Sequence, residues 1–166
     1  MPNPKAVGER SEGIVLAELL KHGKVVLLPF GNNQRYDLVV DDNGRFVRIQ
    51  VKTGWWRVGC VCFKTNSVNA FTGKRTTYDG SADVFMVYSE HTGKVYCVPV
   101  SACGSSEVKL RVEPSTGRNN SLIRWAKDFE LNGLLAPHGG IAQSAERRTH
   151  NSGAGGSNPT RATAGR

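Results

Sequence analysis

The chain has 166 residues, a length typical of one domain with a single core. Hydrophobic residues make up 39% and charged residues 22%, as in globular proteins, and no run of about 18 apolar residues predicts a transmembrane helix. The formal net charge is +8, which favours an anionic partner. Nucleic acid is favoured over a membrane surface, because the sequence contains no basic amphipathic helix with an aromatic edge.

The first residues lack the basic and apolar stretches of a secretory signal. The chain has four cysteines, too few for a disulfide-stapled secreted domain of this length. They also lack the spacing and the histidine partners of a zinc site. We therefore expect four free thiols in a cytoplasmic protein.

Hydrophobic periodicity predicts a helix, a series of strands and a closing helix. Gly23 follows the first helix as a stop signal, and Asn43-Gly44 is a strong hairpin signal. In chain order the predicted elements are a helix at 9–22, strands at 24–28, 35–41, 45–53, 58–63, 84–88 and 94–100, and a helix at 121–129. This order predicts an α/β fold with a mixed β-sheet flanked by helices, rather than repeated βαβ units.

Composition changes sharply near Gly133. The first 132 residues contain all the aromatic residues, and from His138 onward Ile141 is the only large aliphatic residue. Such a stretch cannot bury enough apolar surface to offset the entropy lost on ordering. The sequence therefore predicts one folded domain over residues 1–132 and a disordered tail over residues 133–166.

The tail also has an unusual coding pattern. Residues 140–143, Gly-Ile-Ala-Gln, can be encoded by the start of a tRNA D-arm, and residues 156–159, Gly-Ser-Asn-Pro, by a T-loop. Codons at its two ends can be complementary, as an acceptor stem requires. We interpret the tail as a tRNA gene translated in frame, with an ordinary low-complexity tail as the alternative.

Four polar residues of the predicted domain combine into a candidate site. Gln50 and Lys52 lie two apart on one strand and so project to the same face, and the hairpin brings Asp37 alongside. Glu12 lies near the apolar face of the first helix and is favoured over Glu9. Carboxylate and amide oxygens suit Mg²⁺, and a nearby lysine stabilises charge on a phosphate. The pattern predicts a metal-dependent phosphodiester hydrolase, with ordinary structural or solvated strand residues as the alternative.

At these residues the sequence resembles the PD-(D/E)xK nuclease superfamily, over residues 1 to about 130. The motifs that carry the resemblance are GERSE at 8–12, PFG at 29–31, RYDL at 35–38, IQVKTG at 49–54, DVFMVY at 83–88, VYCVP at 95–99 and IRWA at 123–126. The nearest branch resembles the cyanobacterial group I intron homing endonucleases, in which glutamine replaces the second acid. Gln50 is that glutamine here, so the site has one negative charge fewer than the superfamily pattern.

The resemblance implies a homing or mobile-element endonuclease that acts on double-stranded DNA with Mg²⁺, for which Mn²⁺ can substitute. It implies catalytic roles for Glu12, Asp37, Gln50 and Lys52. The implied metal ligands are Glu12, Asp37, Gln50 and the backbone carbonyl of Val51. Two alternatives remain open: a restriction-type or Holliday-junction-resolving nuclease of the same fold, and a non-catalytic DNA-binding protein on a degenerate nuclease fold.

Partner surfaces are predicted from the remaining basic and aromatic residues. The candidate DNA contacts are Arg35, Arg57, Lys64, Lys74 and Arg75, with solvated loop charges as the alternative. A double-strand break is most simply made by two symmetry-related sites, so we expect at least a homodimer, and the resemblance implies a tetramer. The candidate interface residues are Trp55, Trp56 and Phe71.

Overall fold

A computed structural model describes residues 3–31, 33–68, 72–114 and 123–131. The predicted tail, residues 133–166, lies outside the described residues. The elements are α1 Pro4–Lys21, β1 Val25–Leu27, β2 Leu38–Asp42, β3 Arg45–Arg57, β4 Cys60–Lys64, β5 Asn66–Val68, β6 Arg75–Thr77, β7 Val84–Ser89, β8 Lys94–Pro99 and β9 Glu107–Arg111, with 3₁₀ turns at Val100–Ala102 and Ala126–Phe129. No helix in this part of the chain is long and apolar enough to cross a membrane.

Seven strands form one mixed sheet around β3, and β5 and β6 form a separate hairpin. The first part of β3 pairs antiparallel with β2, residues 49–54 pair parallel with β7, and the last three residues pair antiparallel with β4. The sheet is completed by β1 on β2, β8 on β7 and β9 on β4. We call β4 and β9 the wing. A single long strand therefore joins the central sheet to the wing.

Both faces of the central sheet are buried. In β7, Val84 and Met86 pack in the cluster beneath α1, whereas Phe85 and Val87 pack in a second cluster on the opposite face. This double burial explains the continuous apolar run of β7, which is typical of a strand covered on both sides. In β3, Ile49 and Val51 belong to the α1 cluster, which directs the residues between and after them to the other face.

The first helix begins five residues before its predicted start. The side chain of Asn3 caps it by accepting a hydrogen bond from the backbone N–H of Lys5 at 3.0 Å, and Pro4 occupies the first turn. The cap-and-proline signal was present in the sequence, and the prediction missed it. A 2.7 Å hydrogen bond between the Ser11 and Thr53 hydroxyls attaches α1 to β3.

The predicted hairpin is confirmed at the turn between β2 and β3. Asn43 and Gly44 have φ angles of 55° and 86°, the pair of positive values that a two-residue type I′ turn requires. The strand boundaries beyond it differ from prediction. β3 continues to Arg57, because the next turn is made by Val58 and Gly59, both at positive φ.

Other elements also depart from the sequence-based assignment. The hairpin of β5 and β6 was not predicted, nor was β9, although Val108 and Leu110 alternate in β9 as in a half-buried strand. The helix predicted at 121–129 is wrong over its described residues 123–129. The N–H of Arg111 donates to the carbonyl of Arg124 at 2.7 Å, and this bridge keeps the chain extended up to a single 3₁₀ turn.

The four cysteines are free, as predicted. Cys60 and Cys62 lie on one face of β4, and Cys97 lies in the α1 cluster. Burial raises the pKa of the Cys97 thiol to about 12 and that of Cys103 to about 11. These thiols are therefore protonated and unreactive at neutral pH.

Candidate active site

Three oxygen-bearing groups meet where β2 begins beside β3. The backbone N–H of Asp37 donates to the carbonyl of Ile49 at 2.8 Å, which fixes the residue at the sheet edge. The Asp37 carboxylate then accepts hydrogen bonds from the Val51 N–H, at 2.7 Å, and from the Gln50 side-chain amide. The same amide nitrogen donates to the Val51 carbonyl at 3.2 Å. One amide group thus lies between a carboxylate and a backbone carbonyl oxygen.

The catalytic-lysine candidate lies on the same face, two residues beyond Gln50. The Lys52 ammonium donates a hydrogen bond of 2.9 Å to the Tyr78 hydroxyl and lies 4.3 Å from the centroid of the Tyr78 ring. Burial raises the pKa of Asp37, while the Val51 N–H, the Lys52 charge and the Gln50 amide act to lower it. The carboxylate therefore has a nearby cation and two donors, but desolvation dominates.

The fourth predicted residue, Glu12, approaches this group from α1. Partial burial raises the pKa of the Glu12 carboxyl, and the Asp37 carboxylate and then Glu9 raise it further. Glu9 itself makes an exposed ion pair with Lys5 at 3.8 Å. Glu12 and Glu9 both lie on the exposed surface of α1, and the Asp37 carboxylate acts on the pKa of Glu12. Two carboxylates that repel one another are an arrangement that a bound cation would relieve.

The donor set fits a hard divalent cation. Within the described residues, no three His, Cys, Asp or Glu side chains are grouped so that they could hold a metal ion. A metal here would therefore need the Gln50 amide and the Val51 carbonyl in addition to the two carboxylates. A half-turn of the Gln50 amide exchanges Nε2 for Oε1, so that Gln50 would present an oxygen beside the oxygens of Asp37 and Val51, the ligand type that Mg²⁺ prefers.

The five predicted DNA contacts separate into two groups. The first lies beside the site: Arg35 donates to the Thr77 carbonyl at 2.7 Å, and its guanidinium lies 4.8 Å from the Tyr78 ring centroid. Lys74 and Arg75 are exposed at the start of β6, and within the described residues neither makes an ion pair. All three belong to one surface around the β5–β6 hairpin.

The second group lies at the edge of the wing, with Arg57 at the end of β3 and Lys64 at the end of β4. Arg57 and Lys64 both form ion pairs with Glu107, the latter at 3.4 Å. Desolvation is the largest single influence on the Glu107 carboxyl and acts to raise its pKa, but the hydrogen bonds and charges of Lys64 and Arg57 together outweigh it and lower the pKa. One carboxylate thus partly neutralises two basic residues that lie at the end of β3 and in the strand that follows it.

The predicted interface residues are only partly available. Trp56 packs on the second core cluster and stacks on His91 with ring centroids 3.9 Å apart. Trp55 is 37% exposed, with the Lys64 ammonium 5.8 Å from its ring centroid. Phe71 lies outside the described residues. Exposed large apolar residues instead concentrate around β1 and the start of β3: Val25, Leu27, Leu28, Phe30 and Phe46.

Tyr78 contacts two of the predicted site residues, Arg35 and Lys52, and was not predicted from the sequence. Tyr78 is only 7% exposed and stacks edge-on against Phe85 with centroids 5.5 Å apart. No spacing pattern could have linked it to Lys52, which lies 26 positions away. The contact depends on the chain folding back through β5 and β6.

A family model described as PD-(D/E)XK endonuclease matches residues 2–132. No curated protein matches the chain. Among solved structures, "The structure of a bacterial homing endonuclease: I-Ssp6803I" is similar, with 25% identity and a TM-score of 0.64, covering 78% of this chain and 89% of that chain. These findings agree with the family and the α/β fold predicted from the sequence.

Proposed function

The chain belongs to the PD-(D/E)XK endonuclease family, and we propose that it is a Mg²⁺-dependent endonuclease that cuts double-stranded DNA for a mobile element. The observation that carries the proposal is the meeting of the Asp37 carboxylate, the Gln50 amide and the Val51 carbonyl on the same sheet face as Lys52. The mobile-element role is supported by the similarity to a structure described as a homing endonuclease.

We assign the roles by chemistry. Asp37, Gln50, the Val51 carbonyl and Glu12 would hold the metal. A bound divalent ion supplies positive charge for the reacting phosphate and makes water more acidic. Lys52 adds a second positive charge for the same phosphate. A carboxyl must be ionised to serve as a ligand, and because the pKa of Asp37 and that of Glu12 are raised, each ionises at a higher pH than an ordinary carboxyl.

We assign DNA binding chiefly to the surface of the β5–β6 hairpin. Arg35 and Lys52 both contact the Tyr78 ring, and the exposed Lys74 and Arg75 lie at the start of β6, which leads directly into Tyr78. Cations that no carboxylate neutralises contribute most to phosphate binding. Arg57 and Lys64 share Glu107 and are assigned a smaller part.

A homo-oligomer, dimer or tetramer, remains part of the proposal, because a double-strand break is most simply made by two symmetry-related sites. The exposed apolar side chains around β1 favour this edge as the contact over Trp55 and Trp56. Light scattering of the purified protein measures the oligomeric state. The double variant Val25→Lys, Leu27→Lys should have a lower molar mass in solution than wild type. A wild-type monomer that nicks only one strand would contradict both the oligomer and the double-strand break.

Nicking of supercoiled plasmid tests the function directly. Wild type should cut with Mg²⁺ or Mn²⁺ and stop cutting when EDTA is added, whereas Asp37→Asn should lose about 10²-fold or more in rate. Gln50→Glu should stay active and need less Mg²⁺, because it adds a charged oxygen ligand. A folded but inactive Gln50→Glu protein would show that the amide nitrogen is required, and would remove Gln50 from the ligand set.

The alternatives give different results with chosen substrates. A mobile-element enzyme should cut a linear duplex that carries an uninterrupted tRNA gene. This substrate is chosen because the tail can be read as a tRNA gene translated in frame. A junction resolvase should cut a four-way junction instead. A protein that binds DNA at sub-micromolar concentration and cuts neither substrate with either metal would be the non-catalytic alternative.

A further inference from the structure

We propose that Tyr78 is a positioning residue that holds the Lys52 ammonium in place and connects it to the DNA-contacting hairpin. This inference rests on the proposed function, and it concerns a residue that none of the predicted motifs contains. Its basis is that one aromatic side chain contacts both a candidate reacting cation and a candidate DNA-binding cation.

The contacts with Lys52 are of two kinds. The ammonium donates to the Tyr78 hydroxyl at 2.9 Å and lies 4.3 Å from the ring centroid. A hydrogen bond to a charged group has a preferred direction, and a cation over an aromatic face is attracted by the ring quadrupole. A lysine has four rotatable bonds, so two contacts at its end greatly reduce the positions that the charge can occupy.

Tyr78 itself is held rigidly. Its backbone carbonyl accepts hydrogen bonds from the N–H groups of Ser81 and Ala82, at 2.9 and 3.0 Å, which close a tight turn. Its ring packs edge-on against Phe85, which lies on β7 opposite Gln50. A side chain fixed from both the turn and the central sheet can serve as a reference point for a flexible lysine.

The other contact of the ring is with the hairpin surface. The Arg35 guanidinium lies 4.8 Å from the same ring centroid and donates to the carbonyl of Thr77, the last residue of β6. Tyr78 follows directly in the chain. DNA bound to Arg35 or β6 would therefore contact the segment that contains Tyr78, the residue that orients Lys52. Tyr78 would thus link phosphate binding to the position of the lysine.

The test compares Tyr78→Phe with a matched control, Tyr96→Phe. Tyr96 is 1% exposed in the same core cluster, and its hydroxyl also makes one side-chain hydrogen bond, to Thr92 at 3.0 Å, but it contacts none of the predicted site residues. Single-turnover cleavage at saturating DNA should be about tenfold slower in Tyr78→Phe, the scale of one hydrogen bond to a charged group. DNA affinity measured in EDTA should change less than about twofold. Tyr96→Phe should cleave at the wild-type rate.

Two results would overturn the inference. One is a Tyr78→Phe enzyme that cleaves as fast as wild type. The other is an equal loss of rate and melting temperature in Tyr78→Phe and Tyr96→Phe, which would mean that only the core is affected. If wild type cuts no DNA at all, the proposed function fails, and NMR then tests the contact between Lys52 and Tyr78 independently of activity. The Lys52 side-chain protons, assigned by Lys52→Met, should be shifted upfield by the Tyr78 ring and return to ordinary values in Tyr78→Leu. No such shift in wild type would refute the contact.

Discussion

The β5–β6 hairpin and the wing both carry basic residues, but the two regions surround those charges differently. On the hairpin, Lys74 and Arg75 are exposed and, in the part of the chain that the structure describes, make no ion pair. At the wing, Arg57 of β3 and Lys64 of β4 share the carboxylate of Glu107 on β9. The hairpin is also connected through Tyr78 to Lys52, whereas the wing is not. Proximity in sequence to the active strand therefore does not decide which cations face a substrate.

The largest expected effect is at the lysine that the hairpin supports. Lys52→Ala should slow single-turnover cleavage by about 10²–10³-fold, because it removes an oriented charge beside the reacting phosphate. DNA affinity should stay within a few-fold of wild type, since backbone binding is spread over many groups. Lys64→Ala on the wing is the matched control and should cleave nearly normally. Full-rate cleavage by Lys52→Ala at saturating Mg²⁺ would remove Lys52 from the mechanism.

The two basic regions can be compared directly through DNA affinity. The double variant Lys74→Ala, Arg75→Ala should bind DNA about tenfold more weakly. The slope of log K against log salt concentration should fall in magnitude by about two, one for each lost phosphate contact. The pair Arg57→Ala and Lys64→Ala should change the slope by less than about one, because Glu107 already neutralises part of that charge. Equal slopes for the two double variants would contradict the distinction between the regions.

Gly54 lies in β3 at the point where the strand passes from the site to the wing. An added Cβ would lie 2.7 Å from Val61 Cγ1 of the wing and 3.1 Å from Val87 Cγ1 of the central sheet. Gly54→Ala should therefore destabilise the fold by about 1–3 kcal/mol, as overpacking of a core does. Gly13→Ala is the control, because that position is open within α1 and gains helix propensity. Urea denaturation measures both, and an unchanged Gly54→Ala midpoint would refute the close contact.

The pH dependence of cleavage tests the carboxylates. Burial raises the pKa of Asp37 and that of Glu12, so activity should rise with pH as both carboxyls ionise. Mg²⁺ and protons would compete for the same oxygens, so higher Mg²⁺ concentration should move the acidic limb to lower pH. In the absence of metal, the free energy of unfolding should change with pH in the opposite direction to activity. A carboxyl whose pKa is raised in the folded state stabilises the fold below its unfolded pKa, and this contribution is lost as pH rises through the folded pKa. If the acidic limb of the pH–rate profile stays at the same pH when the Mg²⁺ concentration is raised, this result would contradict the assignment of Asp37 and Glu12 as metal ligands.

The smallest effect is expected from removal of the predicted tail. The family match ends at residue 132, and the tail has no aromatic residue. Truncation after Gly133 should leave the melting temperature and the cleavage rate unchanged. A clear loss of DNA affinity would instead assign binding to Arg147, Arg148 and Arg161, and the hairpin would no longer account for the contact alone.

The predicted site illustrates which inferences local sequence supports. The alternation in Ile-Gln-Val-Lys correctly placed Ile49 and Val51 in the core under α1, and Lys52 on the opposite face against Tyr78. The Asn-Gly turn correctly predicted the β2–β3 hairpin and, with it, the contact between Asp37 and Gln50. These inferences held because they depend on period and turn geometry, which involve neighbours in the chain.

The errors arose where long-range contacts override local preference. The segment predicted as a closing helix is instead held extended by a bridge to Arg111, more than ten residues earlier. β3 does not end at Thr53, because the wing extends the pairing of the strand to Arg57. Propensity is a weak determinant whenever sheet hydrogen bonds with a distant strand are available.

By itself, the sequence determined the family motifs and the group of Asp37, Gln50 and Lys52 on one hairpin. Only the tertiary structure decided that Tyr78 holds Lys52 and that Glu107 engages the wing cations. These contacts join residues 26 to 50 positions apart. They depend on how β5–β6 folds back and how β4 pairs with β9, and local patterns of neighbouring residues do not encode either event.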